Sequence, residues 1–107
     1  MKCLIRITID WLHSNPFYLE KEFNIPQIPT QGLILIDGEV ELTINSKTII
    51  SYDIKTSEIY VGFNFHLPAN DLDGDIGYIV NNCKKEKWNI INKENIQKVM
   101  KDVTDGF

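Results

Sequence analysis

The chain has 107 residues, of which 43% are hydrophobic and 24% are charged, and its formal net charge is -4. This length predicts a single domain, residues 1–107, with one ordinary core. The balanced composition excludes a disordered, collagen-like or coiled-coil chain. Acidic residues outnumber basic ones, and only Lys84, Lys85 and Lys87 cluster. A dedicated nucleic-acid binder needs a basic face for phosphates, so the charge argues against that class.

The cysteines and the N-terminus bear on the cellular compartment. Cys3 and Cys83 are far apart and form no C-x-x-C motif, so they give no basis for a zinc or thioredoxin-like site. We expect both to be reduced core residues. Arg6 and Asp10 interrupt the N-terminal apolar residues, so no signal peptide is predicted, and no stretch has the length of a membrane span. These features predict a cytoplasmic protein without a membrane partner.

The chain begins with the pattern of a β-hairpin. Residues 2–12 have apolar side chains at every second position from Cys3 to Trp11, with Arg6, Thr8 and Asp10 on the other parity, as expected of a strand with one buried face. Residues 13–16 contain Ser, Asn and Pro and predict a turn. Residues 17–23 should return antiparallel to the first strand. The apolar positions of the two strands are Cys3, Ile5, Ile7, Ile9, Trp11, Phe17, Leu19 and Phe23.

A second hairpin is predicted after an irregular connection. Residues 24–32 contain two prolines, which cannot donate ladder hydrogen bonds, so they predict a connection that covers the core. Residues 33–36 form a short apolar run, and residues 40–44 alternate between apolar and polar side chains. Between them, Asp37 and Gly38 form the dipeptide that favours a type I′ turn. We therefore predict that this dipeptide closes a tight antiparallel pair.

The clearest strand signal lies in the third hairpin. Residues 48–54 and 58–66 are separated by a polar loop, residues 55–57. This spacing predicts that Ile54 and Glu58 face each other across an antiparallel ladder. The second strand is apolar at alternate positions: Ile59, Val61, Phe63 and Phe65. Together, the three hairpins predict an antiparallel meander of about six strands, long enough to curl into a small SH3-like half-barrel.

The C-terminal third predicts one or two helices, which makes the fold class α+β. Apolar residues fall at helical spacing at Leu72, Ile76, Ile79, Val80 and Cys83. Residues 88–91 fit either a short strand or an extended link. Asn92 is suited to cap a helix over residues 93–103. The apolar stripe of this last helix would consist of Ile96, Val99, Met100 and Val103.

The acidic run after the sheet resembles a calcium loop only in part. Asp71, Asp73 and Asp75 alternate beside a glycine, as oxygen ligands of calcium often do. Starting the EF-hand pattern at Asp71 puts Ile76 where the glycine is required, so the register fails. The acids more simply complement the dipole of a helix start, and no metal site is predicted.

No constellation of catalytic type is present. His13 and His66 have no second ligand or nucleophile at a telling spacing, and no glycine-rich phosphate loop or nucleophile elbow occurs. We therefore predict no catalytic, cofactor-binding or metal-binding residue. The turn and strand signals are those of many small barrel modules and specify no function.

The exposed aromatic residues favour a role in protein contacts. Tyr52 and Tyr60 occupy the non-core parity of facing strands, so we expect them near each other on the outer surface. We predict a non-enzymatic interaction or assembly module that self-associates through a sheet edge or through this tyrosine surface. The alternative is a small binding module for a nucleic acid or small ligand, with Lys84, Lys85 and Lys87 at the rim of a shallow cup.

Overall fold

The computed structural model describes residues 1–11, 16–67 and 75–92. These residues form seven strands and one helix: β1 (Lys2–Trp11), β2 (Phe17–Asn24), β3 (Ile34–Asp37), β4 (Val40–Thr43), β5 (Ile49–Asp53), β6 (Glu58–Leu67), α1 (Asp75–Lys85) and β7 (Asn89–Ile91). The predicted β-rich chain with a helical segment is confirmed at this level. The predicted helix over residues 93–103 and the acids Asp71 and Asp73 lie outside the described residues.

The main sheet is mixed, with the strand order β5-β6-β1-β2-β7. β1 occupies its centre: Ile5 lies opposite Lys21 in antiparallel β2 and opposite Val61 in parallel β6. The prediction of a simple antiparallel meander is therefore wrong. β1 and β6 are the two longest strands. When they pair side by side, the apolar residues of both strands lie on the same face of the sheet and are buried together. The described strands form no closed barrel, and an SH3-like half-barrel is not confirmed.

The core lies on one face of the main sheet, under the β3–β4 hairpin and α1. The alternation predicted for β1, β2 and β6 is confirmed, because one parity of each strand faces this core. The buried apolar residues are Cys3, Ile5, Ile7, Ile9, Phe17, Leu19, Val40, Leu42, Ile44, Ile59, Val61, Phe63, Val80, Cys83 and Trp88. The fold thus has two layers over the described part of the chain.

The β3–β4 hairpin forms a separate two-stranded sheet. Asp37 pairs with Val40, so the loop consists of Gly38 and Glu39 rather than Asp37 and Gly38. Gly38 has a φ of 61°, and glycine at the first loop position is typical of a type II′ turn. A type II′ turn one residue further along therefore replaces the predicted type I′ turn, which leaves Asp37 inside β3 with its side chain turned toward the main sheet.

The β5–β6 hairpin also differs from its prediction by one residue. Asp53, not Ile54, lies opposite Glu58, because the Asp53 carboxylate accepts a hydrogen bond from the Lys55 backbone at 2.9 Å and extends the loop. A shift of one residue exchanges the two faces of a strand. Tyr52 consequently lies opposite the buried Ile59 rather than opposite Tyr60.

The end of α1 directs the chain back into the sheet. The Trp88 amide donates to the Cys83 carbonyl at 2.9 Å, and the Lys87 amide donates to the Lys84 carbonyl at 3.1 Å. With Lys87 at a φ of 63°, these bonds form a Schellman motif, which ends the helix and turns Trp88 inward. The chain then forms β7, where Ile90 pairs with Leu19. Residues 89–91 are thus a strand and not an extended link.

Candidate functional site

A polar cluster fastens the β3–β4 hairpin to the main sheet. Lys21 lies on the core-facing parity of β2, and its ammonium donates to Asp37 Oδ2 at 2.7 Å and to the Glu86 carbonyl at 2.7 Å. Asp37 Oδ2 also accepts the Trp88 indole N–H at 2.8 Å. We call Lys21, Asp37, Glu86 and Trp88 the hairpin clamp. It joins β2, β3 and the end of α1 through charge-assisted hydrogen bonds.

Packing around the hairpin clamp keeps it in one arrangement. The ring of Phe23 meets Trp88 edge-on with centroids 5.8 Å apart, and the Lys21 ammonium lies 5.3 Å from the Phe23 ring centre. The Glu86 carboxylate accepts the Glu39 amide at 3.3 Å and occupies the space beside Gly38, where a Cβ would come within 2.2 Å of it. The Glu86 side chain therefore ties the turn of the hairpin to the end of α1.

The hairpin clamp holds its groups in ion pairs and hydrogen bonds and does not activate the neighbouring thiol. The pKa of Cys83 is raised from 9.0 to about 12, chiefly by burial and in part by the Asp37 carboxylate, while Lys21 lowers it. A nucleophilic cysteine needs the opposite shift. Burial also raises the pKa of Cys3. Both thiols are free and buried, as predicted.

The raised pKa of Cys83 predicts a stability loss in alkaline solution. The thiol ionises near pH 9.0 when unfolded but near 12 when folded, so its contribution is complete below the first value and is lost as the pH rises toward the second. We expect the free energy of unfolding, measured with urea, to fall as the pH rises from about 9 toward about 12. Cys83→Ala should show a shallower fall. Equal slopes for the two proteins would contradict this prediction.

The free edge of β3 carries the most exposed apolar side chains of the hairpin. Ile34 and Ile36 are 47% and 69% exposed, and the preceding Leu33 is 44% exposed. Within the described part of the chain, β3 pairs with β4 alone. On its other edge, the backbone N–H and C=O groups of β3 have no strand partner among the described residues. The residues along this edge, Leu33 to Ile36, are all apolar and carry no charge. The first acid, Asp37, is held by the hairpin clamp.

β5 forms one edge of the main sheet, and its composition differs from that of β3. Ile49 is 52% exposed, but Ser51 and Asp53 interrupt the apolar residues and Lys47 and Lys55 stand beyond the strand ends. Charged residues on and beside an edge strand are a common protection against pairing with another chain. By this criterion β5 is better protected than β3, whose one acid, Asp37, is bound to Lys21 in the hairpin clamp.

The outer face of the main sheet is polar. The guanidinium of Arg6 pairs with the Glu20 carboxylate and lies 5.0 Å from the centre of the Tyr18 ring. Lys2 bridges Glu22 at 3.5 Å and Glu58 at 3.6 Å. These cross-strand pairs neutralise one another's charge and leave a solvated surface.

The predicted tyrosine surface is not formed. Tyr60 lies on the outer face, where its hydroxyl is 2.8 Å from the position that a Cβ on Gly62 would occupy, so its ring lies along its own strand. Tyr52 lies on the opposite, core-facing side, because it pairs with Ile59. The two tyrosines therefore cannot act together in one contact.

A cleft separates the free edge of β4 from β6 and α1. Its two parts have volumes of about 320 and 350 Å³, and Leu42 and Phe65 line both. Polar and charged residues surround it: Glu39, Glu41, Asn45, Lys47, Thr48, Asn64 and Asn82. With two glutamates and one lysine, this rim carries no excess of positive charge.

The other residues considered in the sequence are not brought together in one site. Lys84 and Lys85 lie in the last turn of α1, where they complement its dipole, and Lys85 lies 3.4 Å from Glu39. His13 and the acids Asp71 and Asp73 fall outside the described residues, and the side chains of His66 and Asp75 are not described. Among the described residues, no group of three or more potential metal ligands occurs.

Sequence reasoning missed the hairpin clamp, although a signal for it exists. Lys21 has the same parity as Leu19 and Phe23, so a strand register already turns this lysine toward the core. A lysine on a buried face requires a partner. The one-residue displacement of the neighbouring turn concealed Asp37, which is that partner.

Comparison with protein-family models, curated proteins and solved structures found no match to this chain. In the described ranges, no helix is long and apolar enough to cross a membrane.

Proposed function

We propose that this chain is a non-enzymatic interaction module that assembles with copies of itself through the free edge of β3. The observation that carries the proposal is an edge strand whose exposed run, Leu33 to Ile36, has no charge and whose isoleucines, Ile34 and Ile36, are 47% and 69% exposed. The one acid of the strand, Asp37, is bound to Lys21. An unpaired strand edge is a template for another strand, and natural proteins usually protect such edges with charge. An edge left apolar and unprotected is typical of a pairing site.

The hairpin clamp supports this proposal because it makes the edge rigid. Asp37 at the end of β3 is bound to Lys21 and Trp88, and Glu86 holds the turn through the Glu39 amide. A preorganised strand loses little conformational entropy when a second strand joins it. The lysine and tryptophan thus contribute to assembly by positioning the edge, without touching the partner.

The size of the edge sets the expected strength of assembly. β3 has four residues, and such a short pairing buries less than the area of about 1,200 Å² that is typical of stable complexes. We therefore expect a reversible dimer with a dissociation constant in the range of about 10 µM to about 1 mM. Light scattering over this range should show the mass rising from 12.4 kDa toward twice that value.

Two matched substitutions locate the interface. Ile36→Lys puts a charge on the β3 edge and should weaken the dimer by more than about tenfold, because the ammonium would lose water on pairing. Ile49→Lys changes an isoleucine of similar exposure on β5 and should leave the dimer unchanged. A strictly monomeric protein at every concentration would refute the proposal. Loss of the dimer in Ile49→Lys alone would move the interface to β5.

The cleft beside β4 favours a second candidate function, the binding of a small molecule. Phe63 and Phe65 provide apolar surface, and Asn45, Lys47 and Thr48 provide polar groups at one end. Pockets for small ligands commonly combine these features. A nucleic acid gains little support, because Glu39 and Glu41 line the same cleft. A protein that remains monomeric in the scattering series would make this candidate the leading one.

A further inference from the structure

The direction of the hydrogen bonds in the β3–β4 hairpin shows which groups of β3 are free to pair. The Leu33 carbonyl accepts the Ile44 amide at 2.9 Å, so the backbone of Leu33 faces β4. Backbone direction alternates along a strand. Leu35 and Asp37 therefore also face β4, whereas the N–H and C=O groups of Ile34 and Ile36 point to the free edge.

From this pattern we infer that β3 pairs antiparallel with β3 of a second copy about a two-fold axis at Leu35. In this arrangement Ile34 lies opposite Ile36 of the second copy, and each such pair exchanges two backbone hydrogen bonds. The inference rests on the proposed function and adds the register of the contact. It joins the two hairpins into one four-stranded sheet, β4-β3-β3-β4.

Two other antiparallel registers use the same backbone groups but pair less suitable side chains. A two-fold axis at Ile36 sets Leu35 against Asp37 of the second copy, which places an apolar side chain beside a carboxylate. An axis at Ile34 sets Ile36 against Gly32, whose φ of 93° lies outside a strand conformation. The axis at Leu35 sets Ile34, Leu35 and Ile36 only against one another, leaves Asp37 opposite Leu33 at the two ends of the contact, and opposes no like charges.

The side chains of this register bury apolar surface on both faces. The exposed face gathers the four isoleucines of the two copies into one group. On the inner face, Leu35 meets its own symmetry mate beside an apolar cavity of about 110 Å³, which Phe23, Ile25 and Trp88 also line. The described residues thus leave unfilled apolar space at the edge where a second copy would add a leucine.

Disulfide trapping tests the register directly. Residues opposite each other across an antiparallel pair have Cα atoms about 4.5–5.5 Å apart, within reach of a disulfide, whereas a residue displaced by two positions lies beyond the limit of about 7 Å. Under mild oxidation, Leu35→Cys should form a covalent dimer at least about tenfold faster than Ile36→Cys. The wild-type protein provides the background, since Cys3 and Cys83 are buried.

A double variant keeps the test valid if Leu35→Cys does not fold. Ile34→Cys combined with Ile36→Cys changes two exposed positions that face each other between copies and should also trap a dimer, unlike either single variant. Rapid trapping of Ile36→Cys alone would place the axis at Ile36 and overturn this register while the self-assembly of the protein stands. A scattering series that shows only monomer would refute both the register and the proposed function.

Discussion

Asp37→Ala is expected to lower the free energy of unfolding by about 2–3 kcal/mol. The substitution leaves the Lys21 ammonium without its carboxylate and the Trp88 indole N–H without its acceptor. Breaking a buried ion pair usually costs about 3–5 kcal/mol. We expect a smaller loss for Asp37→Ala because the side chains of Lys21 and Asp37 are 27% and 24% exposed. Urea denaturation followed by far-ultraviolet circular dichroism measures the change.

Two further variants separate the ion pair from general effects of substitution. Glu39→Ala removes an exposed pair with Lys85 and should cost less than about 0.5 kcal/mol. Lys21→Met combined with Asp37→Leu replaces both charges by apolar groups and should recover the part of the loss in Asp37→Ala that comes from the unpaired Lys21 ammonium, while the Trp88 indole N–H still lacks its acceptor. If Asp37→Ala is no more harmful than Glu39→Ala, the hairpin clamp does not hold the hairpin as we describe.

Ile7→Ala is expected to cost about 3–4 kcal/mol of unfolding free energy. Ile7 has no exposed surface and lies on the central strand between Leu19 of β2 and Phe63 of β6. Truncation loses the free energy gained by transferring the side chain from water to the core. It also leaves a cavity in the core layer between the neighbouring side chains of β2 and β6. Chemical denaturation with urea again provides the measurement.

Ile54→Ala is the matched control for the core substitution. Ile54 is 83% exposed in the β5–β6 loop, so the same change of side chain should cost less than about 0.5 kcal/mol. In an antiparallel meander β1 would be an end strand, and Ile7 would contact one neighbouring strand instead of two. A cost below about 1.5 kcal/mol for Ile7→Ala would therefore argue against the central position of β1.

The errors at the two hairpin turns share a physical origin in strand register. The sequence pattern correctly predicts β5, β6 and a turn between them. It does not predict the hydrogen bond to the Asp53 side chain that lengthens the loop by one residue. That single residue moves Tyr52 to the core-facing side and removes the surface on which the tyrosine hypothesis depended. The shift at Gly38 similarly brings Asp37 into β3, where it meets Lys21.

The strand order was beyond prediction for a different reason. Neighbouring strands in sequence are often neighbours in space, which favours a meander. Here the proline-containing connection, residues 24–32, carries the chain off the sheet, and the β3–β4 hairpin lies on its face. β5 and β6 then join the opposite side of β1. The parallel pairing of β1 and β6 depends on matching two long apolar faces distant in sequence.

The sequence by itself determined the strands β1 to β6, the buried parity of β1, β2, β4 and β6, the turns after β3 and β5 to within one residue, the helix around Val80 and Cys83, and the burial of both cysteines. These features follow from local periodicity and backbone chemistry. The tertiary structure alone decided the central place of β1, the hairpin clamp and the exposure of Ile34 and Ile36 at a free edge. Each of these depends on which distant segments meet, and hydrophobic periodicity specifies a buried face without naming the partner that covers it.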